Sequence, residues 1–102
     1  MDDRAAFLAG LEGFEWDAAN TAKNVLGHGV SPAEAEEIFF RFPLLVAADV
    51  KHSHTEARWL ALGATSAGRG LAVAFTVRGK RIRCISVRDM SRKERRTYAE
   101  AH

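Results

Sequence analysis

The sequence predicts an α+β fold: two N-terminal helices, an antiparallel sheet of about four strands, and a C-terminal helix. Three observations lead there. Residues 1–43 hold two helix-start signals, Asp17 and the capping box Ser31-Pro32-Ala33-Glu34. From Leu44 onward the hydrophobic period changes to two, as half-buried strands require. Ser91-Arg92-Lys93-Glu94 is a second capping box and opens a last helix. At 102 residues the chain has room for one core only.

The elements follow in order. Phe7, Leu8 and Leu11 suit one face of a short helix, which Gly10 and Gly13 limit. Phe14-Glu15-Trp16-Asp17 alternates apolar and acidic residues, like a short strand running into a cap. Asp17 can accept from the free amides of a first turn, and Ala18, Ala22, Val25 and Leu26 then fall on one helical face. Gly27 and Gly29 end that helix. The second helix begins at Ser31 with proline at its first position, buries Ala35, Ile38, Phe39 and Phe42, and stops at Pro43. Residues 44–48 read as a strand, 49–56 as a polar loop, and 57–64 as a second strand. In the third strand Leu71, Val73, Phe75 and Val77 alternate with Ala72, Ala74 and Thr76. Arg78-Gly79-Lys80 makes a hairpin turn into a fourth strand over residues 81–88. The apolar residues of that strand fall on both faces, as expected of an inner strand.

Composition narrows the function classes. The chain is 47% hydrophobic and 27% charged, the balance of a folded globular domain and not of a disordered one. No apolar run approaches the ~20 residues of a membrane helix. Met1-Asp2-Asp3 does not open a secretory signal, and the single cysteine, Cys84, allows no internal disulfide. Together these predict a reducing, cytoplasmic setting. The charges are unevenly spread. Residues 1–50 carry three Lys or Arg against nine Asp or Glu, whereas residues 78–102 carry nine against three. A basic end suits a polyanion, but it also suits ion pairing with the acidic half.

The richest segment for chemistry is Asp49-Val50-Lys51-His52-Ser53-His54-Thr55-Glu56-Ala57-Arg58. It combines imidazoles, carboxylates and cations. Phosphodiester cleavage needs that mixture: a base for the attacking oxygen, cations for the phosphate charge, and an acid for the leaving oxygen. An exposed polar loop with no special task has the same composition. Arg81 and Arg83 share one face of the fourth strand, and without a bulge Arg88 lies on the other. Their planar guanidinium groups suit phosphate, although Glu15 or Asp17 could equally receive them. Tyr98 either packs on the sheet or stacks on a base. Cys84 sits mid-strand and reads as a small buried hydrophobe. The sequence has no glycine-rich phosphate loop, no paired CxxC and no HExxH, and His52 with His54 lacks enough neighbouring ligands for zinc.

At these residues the sequence resembles the BrnT toxins of bacterial type II toxin–antitoxin systems. The likeness runs from about Phe14 to Tyr98. It rests on Phe14-Glu15-Trp16-Asp17, Asn24, His28-Gly29-Val30, Phe39, Pro43, His52-Ser53, Glu56, Arg58 and Leu62-Gly63. It continues through Phe75-Thr76-Val77-Arg78, the run from Arg81 to Arg88, Ser91-Arg92-Lys93-Glu94-Arg95 and Tyr98. Residues 1–13 then read as an N-terminal extension and residues 14–102 as one BrnT-like domain. Residues 47–51 depart from the proline-rich, acidic stretch usual before the histidine, which leaves His54 unmatched.

The resemblance implies a RelE-like fold and a metal-independent ribonuclease needing no cofactor. It implies a BrnA-like antitoxin with a ribbon-helix-helix domain, through which alone operator DNA would be bound. A complex holding more than one toxin copy is compatible with it. The reaction expected is attack of an RNA 2′-hydroxyl on its own 3′-phosphate, giving a 2′,3′-cyclic phosphate. Catalytic roles fall to His52 as acid or base, to Glu56 as its orienting or second acid–base group, to Arg58, Arg81 and Arg83 at the phosphate, and to Tyr98. Arg78, Arg88 and Lys93 are expected along the RNA backbone. The alternatives are a non-catalytic RNA- or DNA-binding module, and an interaction domain whose arginines receive an acidic antitoxin segment.

Overall fold

The computed structural model describes residues 2–3, 6–52 and 55–101. Two short segments come first: strand β1 (Asp2–Asp3) and a 3-10 turn (Ala6–Gly10). Strand β2 (Gly13–Trp16) leads into helix α1 (Ala18–His28), and helix α2 (Pro32–Glu37) tightens into a 3-10 turn (Ile38–Phe40). Strand β3 (Leu45–Ala48) is followed by a 3-10 turn (Val50–His52). Strands β4 (Trp59–Ala64), β5 (Gly70–Arg78) and β6 (Arg81–Asp89) complete the sheet, and helix α3 (Arg92–Ala99) closes the chain. The sheet order is β1-β3-β4-β5-β6-β2. β3 to β6 form the antiparallel meander that the period-two pattern predicts. Two edges add to it: β1 pairs antiparallel with β3, and β2 lies parallel to β6, with Gly13 opposite Arg81 and Trp16 opposite Cys84.

The caps work as their residue types dictate. The Asp17 carboxylate accepts from the amides of Ala19 at 2.9 Å and Asn20 at 3.1 Å. Ser31 and Ser91 both complete capping boxes, with Glu34 and Glu94. Gly29, at φ 63°, ends α1 in the left-handed region that glycine tolerates, and α1 runs through Gly27 to reach it.

The core lies on one face of the sheet. Leu71, Val73 and Phe75 of β5 join Val46, Ala61, Ile82, Cys84 and Val87 there, and Val30, Ala35, Ile38, Phe39 and Leu8 cover them. Burial of each large side chain stabilises by about 1.5–3 kcal/mol. Phe39 is the wedge, edge-on to Phe75 at 5.3 Å and to Phe14 at 5.5 Å. A smaller cluster lies on the opposite face, where Tyr98 and Met90 pack on Leu45, Leu62 and Ala72.

Two expected apolar stripes come out differently. On α1, Ala18 and Ala22 are exposed, Val25 is 45% exposed and Leu26 87%, and the buried residue is Asn24. The reason lies in the sheet. β2 ends opposite Cys84, so beyond that point β6 has an open edge. α1 takes that edge over, and the Asn24 Oδ1 accepts from the Val87 amide at 3.2 Å. An edge cover needs a polar group aimed at unpaired amides, not an apolar stripe. On α2, Ala35, Ile38 and Phe39 are buried, but Phe42 is 75% exposed. The tightening to a 3-10 turn and the extended backbone at Arg41 break the helical spacing before Phe42 is reached.

The pairing register of β5 with β6 shifts between Ala74, opposite Ser86, and Phe75, opposite Cys84. Ile85 is therefore an extra residue, a β-bulge, and it flips the side-chain alternation of β6. Arg88, paired with Ala72, comes to the same face as Arg83, paired with Thr76. The opposite-face expectation for Arg88 held only for a strand without a bulge.

Candidate functional site

The alternation of β5 puts Ala72, Ala74 and Thr76 on the face away from the main core. Their neighbours across the ladder are Leu60 and Leu62 on β4, and Ser86 and Arg88 on β6. α3 covers the Leu45, Leu62 and Ala72 end. Ala47, Leu60, Ala74 and Ser86 form the next row across the ladder. They floor a cleft of about 390 Å³, which Asp49, His52, Arg58, Ile85 and Arg88 also line.

His52 reaches this cleft because the chain turns sharply after β3. The Asp49 amide donates to the Arg58 carbonyl at 2.8 Å and closes the base of the loop. The 3-10 turn then stacks residue i over i+3, which brings Asp49 and His52 together. His52 Nδ1 lies 3.0 and 3.1 Å from the two Asp49 carboxylate oxygens. The imidazole is 59% exposed and the Asp49 side chain 24%. Ser53 and His54 lie outside the described residues.

The other sequence-predicted residues divide into groups. Arg58 and Arg88 line the cleft with His52. Arg88 arrives there already gripped: Glu94 accepts from its two terminal nitrogens at 2.6 and 3.0 Å. That pairing, with help from the Ser91 amide, pulls the Glu94 carboxyl down to about 2. Glu56 is not among the cleft-lining residues. Its carboxylate receives the Arg78 guanidinium at 3.0 and 3.3 Å, and this hydrogen bond holds it below the ordinary carboxylate range. Arg83 pairs with Glu15 at 3.0 Å and with Asp17 at 3.5 Å, the ion-pair alternative open at the sequence level. Arg81 is exposed at the start of β6, and Lys93 is exposed on α3. The Tyr98 hydroxyl donates to the Pro43 carbonyl at 2.6 Å, and its ring packs in the α3 cluster.

The residue missed by the sequence reading is Asp49. The signal was there: Asp49 and His52 are three apart immediately after a strand, the spacing that one 3-10 turn eclipses. Glu56, four residues after the histidine, drew attention away from it. A second cavity, about 230 Å³, is lined by Leu8, Leu11, Phe14, Phe39, Phe40 and Ile82, with Glu12 as its lone ionisable group among the described residues. It offers no acid–base pair.

Among the described residues no group of three or more His, Cys, Asp or Glu is gathered for a metal ion. Cys84 is buried, and burial pushes its thiol up to about 12, so it is inert as a nucleophile at neutral pH. No helix among the described residues is long and apolar enough to cross a membrane.

Comparison with known proteins places this site in context. Residues 16–94 match the family model described as the ribonuclease toxin, BrnT, of type II toxin–antitoxin systems. No curated protein matches the chain. Among solved structures, the 1.1 Å crystal structure of the Brucella abortus ribonuclease toxin, BrnT, is similar, with a TM-score of 0.61 and 24% identity. The match covers 78% of this chain and 97% of that one. At that identity the likeness is one of fold.

Proposed function

The chain belongs to the BrnT family of ribonuclease toxins of type II toxin–antitoxin systems, and from that premise we propose that the cleft over β4, β5 and β6 is its RNA-cleaving site. One observation carries the reading: an imidazole and two guanidinium groups, His52, Arg58 and Arg88, line one open cleft over the sheet. That is the minimum set for phosphodiester cleavage by the RNA itself. The 2′-hydroxyl loses its proton to His52 and its oxygen attacks phosphorus. The bond to the 5′-oxygen breaks, and the proton that His52 took passes from its imidazolium to that oxygen. The products are a 2′,3′-cyclic phosphate and a 5′-hydroxyl. The nucleophile is the RNA's own hydroxyl, so the step proposed calls for no metal-bound water.

In this reading Arg58 and Arg88 hold the scissile phosphate. Glu94 orients the Arg88 fork, and a phosphate approaches its remaining donors. Arg81 and Lys93 lie along the RNA backbone on either side. Arg78 and Arg83 are not among the cleft-lining residues, so they contribute field more than direct contact. Glu56 keeps Arg78 in place, and Tyr98 anchors α3. A cytoplasmic setting, a RelE-like fold, a BrnA-like ribbon-helix-helix antitoxin and operator binding through that antitoxin alone complete the proposal. A type II family implies an antitoxin partner in any case.

The test is cleavage of end-labelled single-stranded RNA and of DNA of the same sequence, both in EDTA, with identification of the new ends. Cut RNA with cyclic-phosphate ends and intact DNA are expected. Cleavage of DNA, or RNA cut only on adding metal, contradicts the mechanism. RNA bound in a salt-sensitive way and left whole would move the reading to a binding module. What favours that second reading is the exposed cations of α3, Arg92, Lys93, Arg95 and Arg96, for which no ion pair is found among the described residues.

A further inference from the structure

An imidazole that exchanges protons in a substrate site must present a defined nitrogen. A carboxylate only accepts hydrogen bonds. His52 Nδ1 sits 3.0 and 3.1 Å from the Asp49 oxygens, so that nitrogen must carry a proton. In the neutral ring, Nε2 is then left bare. A free imidazole prefers the opposite tautomer, with its proton on Nε2. The Asp49 contact therefore reverses the default and leaves a lone pair at the nitrogen that Asp49 does not engage.

Asp49 is itself held. Its amide donates to the Arg58 carbonyl at 2.8 Å, and its carbonyl accepts from the His52 amide at 3.2 Å. The backbone thus ties Asp49 to His52 through one tight turn and to Arg58 across the base of the loop. We propose that Asp49 is the positioning residue of the site, which fixes the His52 ring and its Nδ1–H tautomer so that Nε2 takes the proton of the attacking hydroxyl. The carboxylate also stabilises the imidazolium formed when that proton arrives. Asp49 touches no reacting atom and acts through His52. This rests on the cleft being the ribonuclease site, and it assigns to Asp49 the orienting part expected from Glu56.

The proposal has a readout independent of RNA. Long-range proton–nitrogen NMR of the 15N-labelled full chain, at about pH 8.5 where an imidazole is neutral, reports which ring nitrogen of His52 is protonated. A His52→Gln spectrum assigns the signal. The expected result is a majority Nδ1–H form in the wild type, shifting to Nε2–H in Asp49→Ala. A majority Nε2–H form in the wild type, or an unshifted signal in the variant, overturns the proposal. In steady-state RNA cleavage, Asp49→Ala is expected to lower kcat about tenfold to a hundredfold, with KM little changed and Asp49→Glu recovering part of the loss. An unchanged kcat overturns it too. Should Asp49→Ala fail to fold, the isosteric Asp49→Asn replaces it in both measurements. Wild-type protein that cuts no RNA ends the ribonuclease reading and with it the kinetic arm, whereas the tautomer still decides whether Asp49 holds the ring.

Discussion

Gly63 shows how finely single residues set this fold. A Cβ built there would lie 2.7 Å from the Ile38 Cβ, inside any real contact distance. Ile38 is fully buried and its Cβ is close to the backbone, so it cannot swing aside. Gly63→Ala is therefore expected to destabilise by about 1–3 kcal/mol, read as a melting temperature several degrees lower. An unchanged melting temperature would mean that the 3-10 turn carrying Ile38 shifts freely. At this scale the sequence was partly legible. Cys84 as a small buried hydrophobe follows from its mid-strand place between apolar neighbours. His52 was visible as an acid–base group, because imidazoles are rare and chemically distinctive. Its partner showed only as a spacing, because a carboxylate at i−3 matters only if the chain makes a 3-10 turn, and Val50-Lys51 does not by itself dictate one.

Among the elements, α3 ties the cleft to the end of the sheet. Glu94 serves three partners at once: the Ser91 amide at 2.8 Å, and both terminal nitrogens of Arg88. Its folded-state value of about 2 lies below the ordinary 4.5. The Arg88 pairing thus favours the folded state fully above about pH 4.5, and the contribution disappears as pH falls towards about 2. Glu94→Gln should consequently lower stability at neutral pH and flatten its pH dependence between about pH 5 and 2. Acid titrations followed by circular dichroism check this, and parallel acid limbs for the two proteins would refute it. Both capping boxes were legible because their logic is local: a serine, a glutamate three residues on, and nothing else. The outer role of α1 was not, since it depends on β2 ending opposite Cys84, a fact of pairing between distant segments. The bulge at Ile85 was hidden for the same reason, and it alone decides which face Arg88 joins.

The whole molecule is cross-braced by Arg69. Its guanidinium donates to the carbonyls of His28 and Gly29 at the end of α1, to Glu34 of α2, and to Asp89 at the end of β6. Arg69→Ala releases all three elements and should cost about 1–2 kcal/mol in chemical denaturation, with Arg69→Lys recovering only part because an ammonium cannot fork. A loss no larger than that of an exposed arginine would contradict this. The charge asymmetry of the sequence resolves at the same scale. The acidic half pairs with the basic half through Glu12–Lys80, Glu15–Arg83, Asp17–Arg83 and Glu34–Arg69. The cations of α3 make no such pairs among the described residues and face outward. Internal pairing thus takes up Lys80 and Arg83, while α3 presents exposed cations of the kind a polyanion would need. The central claim is that the His52 cleft cuts RNA. Its most direct test is the rate of RNA cleavage by the wild type and by His52→Ala, in EDTA, with equal melting temperatures established first. The account predicts a rate at least about a hundredfold lower in the variant. Equal rates from two equally folded proteins would remove His52, and the cleft with it, from the reaction.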